Sequence, residues 1–249
     1  QEIISTGLSS PDGSEKTGEK NDRMQPGPVE DIGKVPLYSP VTAGDEAWVF
    51  IENNGTRVLA FRTLARLWHT DLASTVGDPC DQLLDKRLSC LYQYTNMRLL
   101  RKFDRPAIFR IVGHDGGFHY AVVRSVSNGH AVIQLDTQQW RIGLSDLKQR
   151  WKNEVALLWL KPPGYQGHLR QGDAGRVIEW LAGQLDHIQG TMIPAGQSRN
   201  MDAILVARLK DFQKSEGIPT DGIAGELTLM HINARAGLDI PRLQSQADN

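Results

Sequence analysis

The chain has 249 residues, of which 40% are hydrophobic and 23% charged, and its net charge is −1. That length allows one or two domains plus tails, and the composition is that of an ordinary soluble protein. The near-zero charge gives no support to a nucleic-acid or acidic-membrane role. No run approaches the ~18 apolar residues of a membrane span, and no secretory signal pattern is present. A start at Gln1 rather than Met is expected of a processed or excised piece of a longer protein. The two cysteines are too few for a disulfide scaffold but are compatible with one structural bridge in an oxidising compartment.

Residues 1–35 are rich in Ser, Gly, Pro, Glu, Lys and Asp. Such a segment cannot bury enough surface to offset its ordering, so a flexible linker is expected over 1–42. The character changes at Trp48. Trp48 to Ile51 reads as a strand, Asn53-Asn54-Gly55 as a turn, and Val58 onward as a helix with Leu64, Leu67 and Trp68 on one face. Asp78-Pro79 opens a short helix carrying Leu83 and Leu84, and Leu88, Leu91, Thr95 and Leu99 line a further helix. The cluster Arg98, Arg101, Lys102 and Arg105 on that helix reads as a solvated face, not a nucleic-acid site.

After Arg105-Pro106 the period shortens to that of strands. Ala107 to Val112, His119 to Val126 and His130 to Leu135 are β-rich runs, parted by Gly113 to Gly117 and Asn128-Gly129, which are turn chemistry for antiparallel strands. Trp140 to Ile142 adds a short strand, Ser145 caps a brief helix through Trp151, and Val155 to Leu160 is a last buried strand. Trp140, Trp151 and Trp159 read as core anchors. Pro162-Pro163-Gly164 then breaks the chain before a compact helical module. There Asp173 is placed to cap a helix bearing Val177, Leu181, Leu185 and Ile188. A second helix carries Leu205, Leu209 and Phe212, and a third carries Ile223, Leu227 and Met230.

Cys80 stands at a helix start, where the dipole lowers a thiol pKa; His119 heads one strand and Asp136 ends another. A thiolate, an imidazole base and an orienting carboxylate, in that order, are what a papain-like cysteine peptidase needs. The set resembles the peptidase domain of bacteriocin-processing ABC transporters. In that family an oxyanion-hole Gln lies six residues before the Cys and a Gly follows it; here those positions are Ser74 and Asp81. Loss of an oxyanion donor costs about 10²–10³ in rate, so the expectation is an inactive domain with Cys80, His119 and Asp136 as a vestigial triad.

The state expected of the cysteines is a structural bridge between Cys80 and Cys90, with a free Cys80 nucleophile as the alternative. On one continuous helix Cys80 and Cys90 would lie roughly 15 Å apart, too far to join. A break at Lys86-Arg87-Leu88-Ser89 can fold one onto the other, and a bridged Cys80 attacks nothing. No metal is expected: His114, Asp115 and His119 are close in sequence, but Gly116-Gly117 makes a turn and no third ligand stands out. No cofactor is expected, and no Gly-x4-Gly-Lys-Ser/Thr phosphate loop is present.

Leu169-Arg170-Gln171-Gly172-Asp173-Ala174-Gly175, then Phe212-Gln213-x4-Gly217-Ile218 and Asp221-Gly222-Ile223-x-Gly225-x2-Thr228, resembles the small peptidoglycan-binding domain of many cell-wall proteins. Trp180 and Ala182 stand where that family favours a Leu-Gln pair nearby, and the segment Gln189 to Asn200 is longer and more polar than a minimal linker. Wall stem peptides carry carboxylates and amides, so a shallow polar groove suits them; Arg170, Gln171, Arg199, Gln213 and Asp221 are the candidate binding residues.

The fold class expected is therefore α+β. A papain-like (cysteine-peptidase-like) domain with an antiparallel sheet spans 43–161, a three-helix peptidoglycan-binding domain spans 162–240, and a tail runs 241–249. The combination, resting on the run Trp68…Cys80…Cys90…Arg105-Pro106, resembles the periplasmic region of the component-A family of type II secretion. The resemblance implies a non-enzymatic periplasmic role: binding peptidoglycan and helping a secretin assemble across the wall, with a partner component B. It also implies a membrane-anchored parent protein with an ATPase part that this chain lacks, and it leaves self-association open. The alternative is a wall-targeted papain-like peptidase using Cys80, His119 and Asp136; a wall hydrolase has no visible catalytic set.

Overall fold

Six antiparallel strands carry the structure, in the order β1-β6-β2-β3-β4-β5. The computed structural model describes residues 45–73, 77–127, 129–191 and 200–243. All of these fall in one unit, Tyr38–Asn249. The expected linker over 1–42 lies outside the described residues.

The strands β2 (Ala107–Val112), β3 (Phe118–Ser127), β4 (His130–Leu135) and β5 (Gln138–Gly143) form the meander expected from the turn chemistry between them. The last strand, β6 (Trp151–Leu160), inserts between β1 (Leu88–Tyr94) and β2. Its run Val155-Ala156-Leu157-Leu158-Trp159 is buried on both faces, as a central strand requires. The anchors Trp151 and Trp159 are buried, and Trp151 stacks on Phe109 at 4.5 Å; Trp140 is partly buried against Phe50.

Two segments differ from the sequence reading. Trp48 to Ile51 is not a strand but part of helix α1 (Asp45–Asn54). Four consecutive apolar residues fit either element. What decides is that Ala47, Trp48 and Ile51 share one buried face, while Val49 faces outward and Trp48 Nε1 donates to Asp146 Oδ2 at 2.7 Å. The run from Leu88 to Leu99 is not one helix but β1 followed by α3 (Met97–Phe103), which Asn96 caps by accepting the Leu99 amide. Pairing with β6, far away in the sequence, outweighs the local helical spacing.

Helix α2 (Arg57–Leu67) packs on the sheet through Ala60, Phe61 and Leu64. Its entry is fixed by Gly55. A Cβ there would sit 2.5 Å from the Ile51 carbonyl oxygen and 2.9 Å from that of Tyr120, so only glycine lets the helix start reach the head of β3. The Gly55 carbonyl also accepts the Tyr120 amide at 2.8 Å. Helix α4 (Leu144–Arg150) is capped by Gly143 rather than by Ser145.

Cys80 and Cys90 form a disulfide. A short 3₁₀ helix, Asp81–Lys86, ends at Arg87 in the left-handed conformation (φ 59°), and that break turns the chain back so that the two cysteines meet. Both cysteines of the chain are used, and no thiol is free.

Helices α5 (Arg176–Gln189), α6 (Ala203–Ser215) and α7 (Glu226–Arg235) form the C-terminal part. Of the stripes expected there, Val177, Leu181, Leu185, Leu205, Leu209, Phe212 and Met230 are buried. Ile188 and Leu227 are half-buried, and Ile223 precedes α7, whose buried face is instead made by Leu229, Met230 and Ile232. Asp173 does not cap α5; Gly175 holds that position, and the Asp173 carboxylate instead accepts the Arg170 amide at 2.7 Å.

The basic stretch is divided: Arg98 on α3 is exposed, as expected of a solvated face, whereas Lys102 and Arg105 turn toward these helices. Arg105 is 1% exposed and donates to the Asp104 and Met230 carbonyls, each at 2.8 Å. Burial pulls its guanidinium down to about 10, with Asp104 opposing, so it stays charged at neutral pH. Lys102 donates to the Gly217 carbonyl. His231 joins the Lys102 carbonyl at 2.5 Å and Glu216 at 3.0 Å, and Asn233 donates to the Leu160 carbonyl at 2.9 Å. The sheet and the three helices thus share a hydrogen-bonded joint. The segment entering the tail packs as well: Leu243 is buried, accepts the Val126 amide and donates to Asp104.

Candidate functional site

Two loops of the C-terminal part converge. Leu169 and Ala224 exchange both backbone hydrogen bonds, at 3.2 and 3.0 Å, and this bridge staples the loop carrying Arg170 and Gln171 to the loop that follows Asp221. On the other side of the first loop, Gly172 donates to the Met201 carbonyl at 2.9 Å and Met201 donates to that of Asp173 at 2.8 Å. Arg170, Gln171 and Asp221 are exposed on these loops. Arg199 lies outside the described residues.

Gln213 is different. It is 0% exposed, so it cannot touch a ligand. Its amide nitrogen donates to Asp221 Oδ1 at 3.0 Å, the Ile223 carbonyl at 2.9 Å and Thr228 Oγ1 at 3.2 Å, while its oxygen accepts the Gly222 amide at 2.9 Å. The residue is the clip that shapes the Asp221 loop. Gly222 beneath it has φ 76°, and a Cβ there would come within 2.9 Å of Val206 and Lys210. A sequence motif marks such a residue but does not say whether it faces in or out.

Sequence reasoning missed the cluster beside these loops. Tyr165 donates to Glu226 Oε1 at 3.0 Å, and His168 Nε2 lies 3.0 Å from Glu226 Oε2. Glu226 is the first residue of α7, where the helix dipole favours a carboxylate. The signal available was the His168 that directly precedes the first motif and the Glu that follows Gly225.

Burial pulls the Glu226 carboxyl up, but its own backbone amide, Tyr165 and His168 together hold it below the ordinary value of 4.5. A folded-state pKa below the unfolded one contributes stability that is complete above about 4.5 and is lost as pH falls through the folded value. Thermal melting followed from pH 6 to pH 3 is therefore expected to show Glu226→Gln losing less stability over that window than the unaltered chain. Parallel curves would contradict the assignment.

The three residues of the triad pattern are each engaged elsewhere. Cys80 is bonded to Cys90, and its sulfur lies 3.0 Å from the Tyr92 hydroxyl. His119 Nε2 is 3.1 Å from Asp115 Oδ1, and this imidazole, with the Gly117 amide, lowers the Asp115 pKa. Asp136 pairs with Arg66 at 2.5 Å, and its backbone amide donates to Thr63 Oγ1 at 2.8 Å. What abuts the His119 strand is the start of α2, where Asn54, Gly55 and Thr56 stand and no thiol is present. Ser74, at the oxyanion position, lies outside the described residues. His114 is held by Glu52 and Arg150. Among the described residues no group of three or more His, Cys, Asp or Glu side chains is arranged to hold a metal ion, and no helix is long and apolar enough to cross a membrane.

Stapled motif loops over three helices, joined to an antiparallel sheet, define an α+β protein with a small helical C-terminal module, and residues 178–232 match the family described as "Putative peptidoglycan binding domain". The chain is similar to General secretion pathway protein A. It is 26% identical to that protein of Aeromonas hydrophila over 190 residues, which is 76% of this chain and 34% of the relative. It thus spans about a third of the relative's length. The periplasmic domain of the EpsAB fusion protein of the Vibrio vulnificus type II secretion system shares the fold, with a TM-score of 0.54 and 24% identity across 77% of this chain and 84% of that one. The peptidase domain of Streptococcus ComA is also a structural neighbour, with a TM-score of 0.34 and 12% identity over 41% of this chain and 88% of that one.

Proposed function

We propose that the chain is a non-enzymatic, periplasmic part of a type II secretion protein that grips peptidoglycan through its C-terminal helices and helps a secretin assemble in the wall with a partner component B. In this reading residues 43–161 are a peptidase-like domain without activity and 162–240 the wall-binding domain. Arg170, Gln171 and Asp221 make contact, Arg199 with them, and Gln213 holds their loop. The observation that carries it is the stapling of two family-motif loops by the Leu169–Ala224 bridge, which brings exposed polar groups to one edge. The absence of a free thiol supports a role other than cysteine peptidase catalysis. The parent protein's membrane anchor and any self-association belong to the same proposal.

The test is co-sedimentation of the full chain with purified sacculi. The chain is expected in the pellet, and Arg170→Ala combined with Gln171→Ala is expected to shift most of it to the supernatant while the melting temperature stays unchanged. A chain that remains in the supernatant sinks the reading.

A further inference from the structure

A cleft lined by charged, aromatic and aliphatic side chains lies on the sheet, and none of its lining residues belongs to the motif loops. It measures about 200 Å³ and is walled by Arg57 and Phe61 of α2. Its floor follows from the strand register: Tyr92, Ala156 and Ile108 stand in one row across β1, β6 and β2, and Arg110 pairs with Tyr120 beside Glu154. The volume is below the ~300–1,000 Å³ of pockets that enclose whole small molecules, so it admits a side chain or two and a terminal group.

The chemistry of the lining is specific. Glu154 is saturated from within the chain: Arg110 donates one NH₂ to both its oxygens at 2.6 Å, and the Tyr94 hydroxyl donates at 2.7 Å. These contacts hold the Glu154 carboxyl below its usual range. Arg110, in contrast, has a buried Nε with no acceptor. Arg57 donates to the Tyr92 hydroxyl at 2.6 Å and stands over the Phe61 and Tyr92 rings. Around the mouth, Tyr92, Tyr94 and Phe118 are 52%, 73% and 52% exposed. Exposed Tyr beside Arg is the composition of binding hot spots, and a guanidinium at a cleft wall suits a carboxylate or carbonyl oxygen.

We propose that this cleft binds a short acidic peptide with small apolar side chains, namely the stem peptide of the cell wall. The source of the peptide rests on the wall-binding reading above. The joint made by Arg105, His231 and Asn233 holds the sheet to the C-terminal helices, so a chain seated on the wall carries the cleft next to the mesh. The lining itself holds two guanidinium groups and one carboxylate, with the Asp78 partner of Arg57 outside it at 3.3 Å, so the wall presented to a ligand is guanidinium-rich and suits the carboxylates of the stem peptide. One wall-bound chain then makes two contacts, and the second raises retention through effective concentration.

The experiment is calorimetric titration of the full chain with the synthetic tripeptide L-Ala-γ-D-Glu-diaminopimelate. Saturable binding is expected, weakened at least tenfold by Arg57→Ala, by Ala156→Leu, which fills the floor without removing a charge, and by amidation of the peptide's carboxylates. Both variants are expected to keep their melting temperature and to sediment with sacculi through the C-terminal loops. No binding of the tripeptide, or equal binding by a folded variant, overturns the cleft while leaving the sacculus result intact. Tripeptide binding at the cleft by a chain that does not sediment would instead retire the C-terminal reading and leave the cleft as a site for acidic peptides. Binding of an unrelated acidic protein peptide as tightly as the tripeptide overturns the assignment to the wall.

Discussion

Replacing Gln213 by Leu is expected to lower the stability of the C-terminal helices by about 3 kcal/mol, with loss of sacculus binding as the consequence. The side chain is fully buried and its four hydrogen bonds tie Asp221, Gly222, Ile223 and Thr228 together. Leucine fills nearly the same space but leaves the buried Gly222 amide without an acceptor and the Ile223 carbonyl without this donor, and each unmet buried group costs about 1–3 kcal/mol. Asp221 is exposed and is resolvated, so it adds little. Gln213→Glu is expected to be no better, because a carboxylate keeps the contact with Gly222 but cannot donate and faces the Asp221 carboxylate. Chemical denaturation gives the midpoint, and hydrogen exchange of the Gly222 and Ile223 amides shows whether the loop has opened. An unchanged midpoint with protected amides would refute the clip.

Removing the disulfide is expected to be nearly as costly. Cys80 and Cys90 close a loop of ten residues, and the chain-entropy relation for such a loop gives about 2.7 kcal/mol. For a unit of this size that corresponds to a fall of about 5–10 °C in melting temperature for the Cys80→Ser, Cys90→Ser double variant. The bridge holds the 3₁₀ segment and its Arg87 turn against the edge strand β1, so exchange of the Leu88 to Tyr94 amides should quicken first. Alkylation of denatured, unreduced protein followed by intact mass is expected to add no group. Two groups added would mean that the bridge does not form in solution and would return Cys80 to consideration as a nucleophile. A melting temperature lowered by less than 1 °C would show that the unfolded chain is not restrained by the cross-link.

The two sites differ in how far they could be read from residues. The motif loops were legible because glycine spacing and turn chemistry are local: Gly222 at positive φ and the Asp221 turn need no distant partner to be named. Gln213 was legible as important but not as buried, since its partners are set by the packing of α6 on the loop before α7. The triad pattern was a linear order of residue types. Its three side chains found other partners, Cys90, Asp115 and Arg66, because chain order does not fix which side chains the strands and α2 bring together. The cleft on the sheet was invisible, since its lining is drawn from α2, β1, β2, β3 and β6.

By itself the sequence determined the elements whose signals are short in range. The meander β2 to β5 follows from β-rich runs between glycine turns, and the three C-terminal helices follow from apolar stripes of period 3.6. It also set the possibility of a bridge, by supplying two cysteines with a helix-breaking stretch between them. The tertiary structure alone decided the rest. Pairing with β6 made Leu88–Tyr94 a strand, and burial of one face made Asp45–Asn54 a helix. Contact with α7 took Arg105 out of solvent, where its basic neighbours had suggested a charged surface. In each case two local conformations or environments were close in free energy, and partners distant in the chain supplied the difference.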